Sequence, residues 1–305
     1  MTIGDYSIQI KPPSAFSYDR TVDYLSRSDK ECMFLVEDRM VTRLITTSSG
    51  PVLIRLSSLV DGGINLEFPS RAADDSDLTE DIRTEAAAYV RDWFDLDRDL
   101  APFFELAEQD DLLRECASRF YGLRLVGIDD LFEAMCWGIM GQQINLPFAY
   151  TLKRRFVEEY GAYQDYEGKR YFTFPTPDTI ARLSLEDLTP MQLTTRKAEY
   201  LIGTAKEMVE GRLSKEQLLA LGDLAKIEKA LTSIRGIGPW TANYVLMRCL
   251  RVPAAFPIAD VGLHNALKLL LDRADKPSIA EIKELSAGWG DWKAYATFYL
   301  WRLLY

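Results

Sequence analysis

Leu231-Thr232-Ser233-Ile234-Arg235-Gly236-Ile237-Gly238-Pro239-Trp240-Thr241-Ala242-Asn243-Tyr244 reads as the end of one helix, a tight turn and the start of another. Gly236 and Gly238, two apart, let the backbone turn sharply and leave their amides uncovered by side chains. Pro239 suits the first position of the second helix, where a missing N–H costs nothing. The open amides then sit at a helix N-terminus, which attracts anions. A phosphodiester is the obvious anion. Asp260 follows in Phe256-Pro257-Ile258-Ala259-Asp260-Val261, one helix further on, where a carboxylate can act on the bound chain.

This arrangement resembles the helix-hairpin-helix DNA glycosylases, and within them the AlkA-type 3-methyladenine DNA glycosylases. Further matches are Gly122-Leu123-Arg124-Leu125, Ile139-Met140-Gly141-Gln142-Gln143-Ile144, Phe174-Pro175-Thr176-Pro177 and Trp289-Gly290-Asp291-Trp292-Lys293-Ala294-Tyr295-Ala296. The motifs run through residues 115–305; the first hundred residues match only by position. Several ordered motifs weigh more than one Gly-x-Gly.

The resemblance implies a monofunctional enzyme that removes alkylated purines from double-stranded DNA and so starts base excision repair. Asp260 is then the catalytic carboxylate, facing the positive charge that builds on the sugar. An Asp before Val261 also reads as an ordinary helix N-cap, and the two roles can coexist. Trp240, Tyr244 and Trp292 are implied as the aromatic base pocket, with Trp289 as the competing match for Trp292. Such rings stack on a flipped base and add a cation–π attraction to a charged one. Aromatics four apart on a helix also read as plain core. Relatives that cleave the strand carry a Lys where Trp240 stands, and a Trp cannot form an imine.

Gly236 and Gly238 are the expected phosphate contacts. Gln142 and Gln143 are the expected wedge filling the gap left by the flipped nucleotide, polar where the AlkA pattern has Leu; a polar C-cap turn is the other reading. The resemblance implies no required cofactor, but a structural Na⁺ or K⁺ on the main-chain carbonyls of Thr232, Ile234 and Gly236. His264, the only histidine, lies four residues after Asp260. An Asp–His pair is conceivable there, although a packed helix His explains it as well.

The net charge of −10 argues against a general nucleic-acid binder. The acidity is uneven. Residues 1–120 hold 13 Lys+Arg against 24 Asp+Glu, and residues 121–305 hold 23 against 22. The acidic clusters at Glu80, Asp81, Asp95, Asp97 and Asp99 read as solvated faces. Cys32, Cys116, Cys136 and Cys249 are scattered, with no Cys-x-x-Cys and no iron–sulfur spacing. No signal peptide or membrane span is visible, so a cytoplasmic protein is expected, acting as a monomer.

Alternating segments at 6–10, 32–37, 40–47, 52–58 and 64–68 predict strands joined by short turns. From about residue 78 the period turns helical, with helices expected at 101–119, 129–140, 147–160, 239–250, 260–271 and 290–304 among others. The fold class is therefore α+β: a small antiparallel β domain over residues 1–77, then an all-helical bundle over 78–305 that contains the helix-hairpin-helix. The competing functions are a glycosylase for oxidised bases and a non-catalytic DNA-binding protein.

Overall fold

A computed structural model describes residues 2–3, 7–70 and 78–305. The strands are β1 (Thr2–Ile3), β2 (Ser7–Ile10), β3 (Leu35–Glu37), β4 (Met40–Thr47), β5 (Gly50–Ser58) and β6 (Ile64–Glu67). They form one antiparallel sheet in the order β1-β2-β6-β5-β4-β3. The α+β class expected from the alternation holds. The turn between β3 and β4 has positive φ at Asp38 and Arg39, as a two-residue hairpin requires. The polar stretch 71–77, on which the expected domain boundary fell, lies outside the described residues.

Several expectations need correction. A helix, Tyr18–Leu25, interrupts the strands; at eight residues its period is too short to stand out, and Ser17, whose side chain accepts from Arg20 N, was its one signal. The second half is not all helical. β7 (Tyr163–Tyr166) and β8 (Lys169–Phe172) form a hairpin whose turn residues, Glu167 and Gly168, both have positive φ. Its Tyr171 packs on Leu44 and Leu53, on the sheet face turned away from the main core. Arg55–Glu167 and Lys169–Glu37 ion pairs pin it there.

The expected helix 101–119 breaks into Ala101–Gln109 and Arg114–Arg119, because the Asp110 carboxylate accepts from the amides of Leu112 and Leu113. The expected helix 290–304 begins only at Lys293, after a kink with positive φ at Gly290. Asp95 is no solvated face: it pairs with Arg98 and accepts from the Tyr295 hydroxyl at 2.5 Å.

The sheet's inner face and the helices share one apolar core, from Ile8 and Leu56 to Leu263 and Phe298. Buried Arg124 ties its parts together, donating to the carbonyls of Asp95, Ala15 and Arg98. No helix of the described residues is long and apolar enough to cross a membrane.

Candidate functional site

The hairpin joins the helices Leu224–Thr232 and Pro239–Arg248. Gly236 sits at φ +95, and a Cβ there would come within 2.3 Å of the Tyr200 ring. Only glycine fits. Gly238 differs, because a Cβ there would meet nothing within 4 Å. Its small size is therefore useful only to something approaching from outside. No side chain caps the Pro239–Arg248 helix, so its first amides stay open.

Gln142 and Gln143 divide. Gln142 Nε2 donates to the Gly236 carbonyl at 2.9 Å and lies 3.4 Å from Thr241 Oγ1, bracing the turn against the hairpin. Gln143 is exposed, with a left-handed φ of 57°. Of the expected cation ligands, the Ile234 carbonyl accepts from Ile237 N at 3.0 Å and the Gly236 carbonyl from Gln142. Each keeps a second lone pair. Those lone pairs are the acceptors a monovalent ion would need at Ile234 and Gly236.

Asp260 caps the helix Val261–Leu270 and is 8% exposed. Its Oδ2 accepts from Leu263 N at 2.8 Å and from Trp301 Nε1 at 2.8 Å. Its Oδ1 accepts from Trp240 Nε1 at 3.0 Å. The capping geometry exists, yet Oδ1 carries one donor and keeps acceptor capacity. His264 takes no part: its Nε2 lies 2.8 Å from the Ile258 carbonyl, not against the Asp260 carboxylate.

Trp240 and Tyr244 stack at 5.6 Å and 29°. Trp292 does not join them. Its ring packs on Phe103 and Tyr295, while Trp289 is fully buried with its N–H on Asp110. The second tryptophan at the carboxylate is Trp301, which sequence reasoning missed. A buried indole N–H needs an acceptor, and that was the one available hint.

Behind Tyr244 lies a small cavity of about 30 Å³. One end is lined by Tyr24, Arg27, Tyr150, Tyr244 and Arg248. At the other, Lys153 bridges Glu133 at 2.9 Å and Glu31 at 3.3 Å, and Arg43 reaches Glu133 at 3.4 Å. Burial alone would raise the Glu31 carboxyl, but Lys153, the Met33 amide, Arg27 and the Cys32 amide hold it down to about 2. On the other side of Trp240 a groove of about 540 Å³ runs past Asn243, Phe256, Lys283 and Lys293.

Residues 136–290 match the model for the HhH-GPD superfamily base excision DNA repair proteins, and residues 21–135 match the 8-oxoguanine DNA glycosylase N-terminal domain. The DNA-3-methyladenine glycosylase of Bacillus subtilis strain 168 is 47% identical over 98% of this chain and 97% of its own. A solved 3-methyladenine DNA-glycosylase from Archaeoglobus fulgidus superposes with TM-score 0.78 at 24% identity, covering 97% of both chains. The 8-oxoguanine glycosylase/lyase of Clostridium acetobutylicum, in its apo form, shares the fold at TM-score 0.74 and 19% identity, covering 97% of this chain and 95% of that one.

Proposed function

This chain belongs to the HhH-GPD superfamily of base excision DNA repair proteins, and on that premise we propose that it hydrolyses the N-glycosidic bond of alkylated purines in DNA and leaves the strand intact. The observation that carries the reading is the Asp260 carboxylate, gripped by two indole N–H groups beside the Trp240–Tyr244 stack. The name of the B. subtilis relative, nearly half identical over almost the whole length, supports the substrate class.

Duplex DNA is held by its phosphates at the open amides of Gly238 and the following turn. Gln143 enters the gap left by the flipped nucleotide, with Gln142 bracing it from the hairpin. The damaged base stacks on the Trp240–Tyr244 rings. As the C1′–N bond stretches, positive charge grows on the sugar and Asp260 Oδ1 stabilises it. Water then takes the sugar carbon. A monovalent ion on the carbonyls of Thr232, Ile234 and Gly236 would stiffen the turn and adds nothing to the bond-breaking step. Trp240 offers no amine, so no imine forms at that position and the abasic strand is released whole. The enzyme acts as a monomer on one lesion at a time.

The test is release of free 3-methyladenine and 7-methylguanine from alkylated duplex DNA, with the strand checked on a denaturing gel. Free bases and an uncut abasic strand are expected. DNA binding without base release would leave only a binding protein.

A further inference from the structure

The groove beside Trp240 is built from both hairpin helices and from chain well beyond them. Glu228 comes from the first hairpin helix and Pro239, Trp240 and Asn243 from the second. Lys283 comes from the Ile279–Leu285 helix and Lys293 from the start of the last one. Asn243 fixes the shape: its Nδ2 donates to the Pro239 carbonyl at 3.1 Å and its Oδ1 accepts from Phe256 N at 2.9 Å. Ala294 N donates to the Pro253 carbonyl at 2.9 Å and ties the loop before Asp260 to the last helix. The groove is therefore preformed, as binding sites commonly are.

Its lining is basic over an apolar floor. Among the described residues neither the Lys283 nor the Lys293 ammonium forms an ion pair, and Lys293 Nζ lies 5.9 Å from the centre of the Phe256 ring. Glu228 is the one carboxylate of the lining among the described residues. Trp240, Phe256, Ala254, Ile258 and Ala259 supply carbon surface. At about 540 Å³ the groove has room for far more than an ion. Cations above apolar and aromatic surface suit a nucleic-acid strand, with its charged phosphates and apolar sugar faces. The whole chain carries a net charge of −10, so its overall field repels DNA and local cations have to hold the strand. Pro239 is the first residue of the helix whose amides stand open, and it also lines the groove. The hairpin anion site and the groove are therefore adjacent.

We propose that this groove is a second DNA-backbone site, in which Lys283 and Lys293 hold the phosphates next to the one at the hairpin amides, on one side of the lesion. The inference rests on the glycosylase reading above and specifies the path of the strand. Its contacts go to phosphate and sugar, so the site is indifferent to base sequence.

The test is a binding titration over a range of salt concentrations, on a duplex carrying an abasic-site analogue. The proteins are the wild type, Lys283→Gln, Lys293→Gln, the double Gln variant and a double variant with Lys283→Arg and Lys293→Arg, each checked for folding by circular dichroism. Each Gln substitution should lower the slope of log affinity against log salt by about one, and the double Gln variant should bind roughly 10-fold or more weakly near physiological salt. The double Arg variant keeps both charges and should keep the slope. Shortening the duplex on one side of the lesion should weaken the wild type and spare the double Gln variant; shortening it on the other side should weaken both alike. Lys206→Gln, at an exposed lysine of the Thr195–Val209 helix outside the groove, should leave the slope unchanged. Unchanged slopes in the Gln variants, an equal change in Lys206→Gln, or shortening effects that ignore the two lysines overturn the proposal and leave the glycosylase reading standing. A wild type that binds the duplex but releases no 7-methylguanine defeats the glycosylase reading instead.

Discussion

Trp301 Nε1 lies 2.8 Å from Asp260 Oδ2, although 41 residues separate them. The bond orients the carboxylate from the last helix of the described chain. A Cβ at Gly262 would come within 2.8 Å of that same oxygen and 3.0 Å of the indole nitrogen. The carboxylate is therefore held on two sides by tryptophan, with no room for substitution behind it.

Trp301→Phe keeps a ring and removes the donor. A hydrogen bond to a charged group contributes about 1.5–3 kcal/mol, so single-turnover base release should fall roughly 10- to 100-fold, with the melting temperature changed little. Trp292→Phe, which alters only packing against Phe103 and Tyr295, should leave the rate nearly unchanged. Equal losses from the two substitutions would contradict the assignment of Trp301.

The two hairpin glycines should fail in different ways. Gly236→Ala puts a Cβ into Tyr200 at a positive φ and should cost more than about 2 kcal/mol of stability in a urea melt. Gly238→Asp meets no protein atom, so it should fold normally and bind an abasic-analogue duplex more weakly, whatever its sequence. Wild-type affinity in a folded Gly238→Asp protein would mean that the phosphates are held elsewhere.

Gln143 pays for its position with a left-handed backbone. Gln143→Gly should relieve that strain and raise stability by up to about 1 kcal/mol, yet slow base release because nothing fills the gap in the duplex. A variant that gains stability and keeps full activity would remove Gln143 from the DNA interface.

Acid should loosen the buried network. Glu31 is depressed in the folded state from an ordinary 4.5 to about 2, so its stabilisation is complete above about pH 4.5 and is lost as pH falls through about 2. Stability measured by denaturant titration should therefore drop by roughly 2–3 kcal/mol across that window, and Glu31→Gln should flatten the drop. An identical acid profile in the variant would locate the sensitivity in other groups.

What was legible in the sequence was local. The hairpin could be read because Gly236, Gly238 and Pro239 are neighbours whose backbone demands are fixed by residue type. The β4 and β5 strands could be read because alternation repeats over eight or nine residues. Asp260 was visible as a cap and, by resemblance, as a reacting group. Trp301 was not, because its partner is far back in the chain and the last helix is buried along its whole length. The β7–β8 hairpin was missed because its signal is four residues a side around a Glu-Gly turn. The cavity behind Tyr244 emerges only when Arg27, just after the Tyr18–Leu25 helix, meets Tyr244 and Arg248 of the Pro239–Arg248 helix, a contact no spacing reveals.

If Trp240 rules out imine chemistry, borohydride should trap no protein–DNA adduct during turnover, and abasic product should stay uncut until treated with alkali. A trapped covalent complex at neutral pH would contradict hydrolysis as the sole reaction.

The most direct measurement is single-turnover release of 7-methylguanine by Asp260→Asn. Asn is as good an N-cap as Asp, so the Val261–Leu270 helix should persist and DNA affinity should change little. Losing the charge beside the developing cation should cost about 3–4 kcal/mol, a fall of two to three orders of magnitude in rate. Release at close to the wild-type rate by a folded, DNA-binding Asp260→Asn protein would contradict the account and leave Asp260 as a helix cap alone.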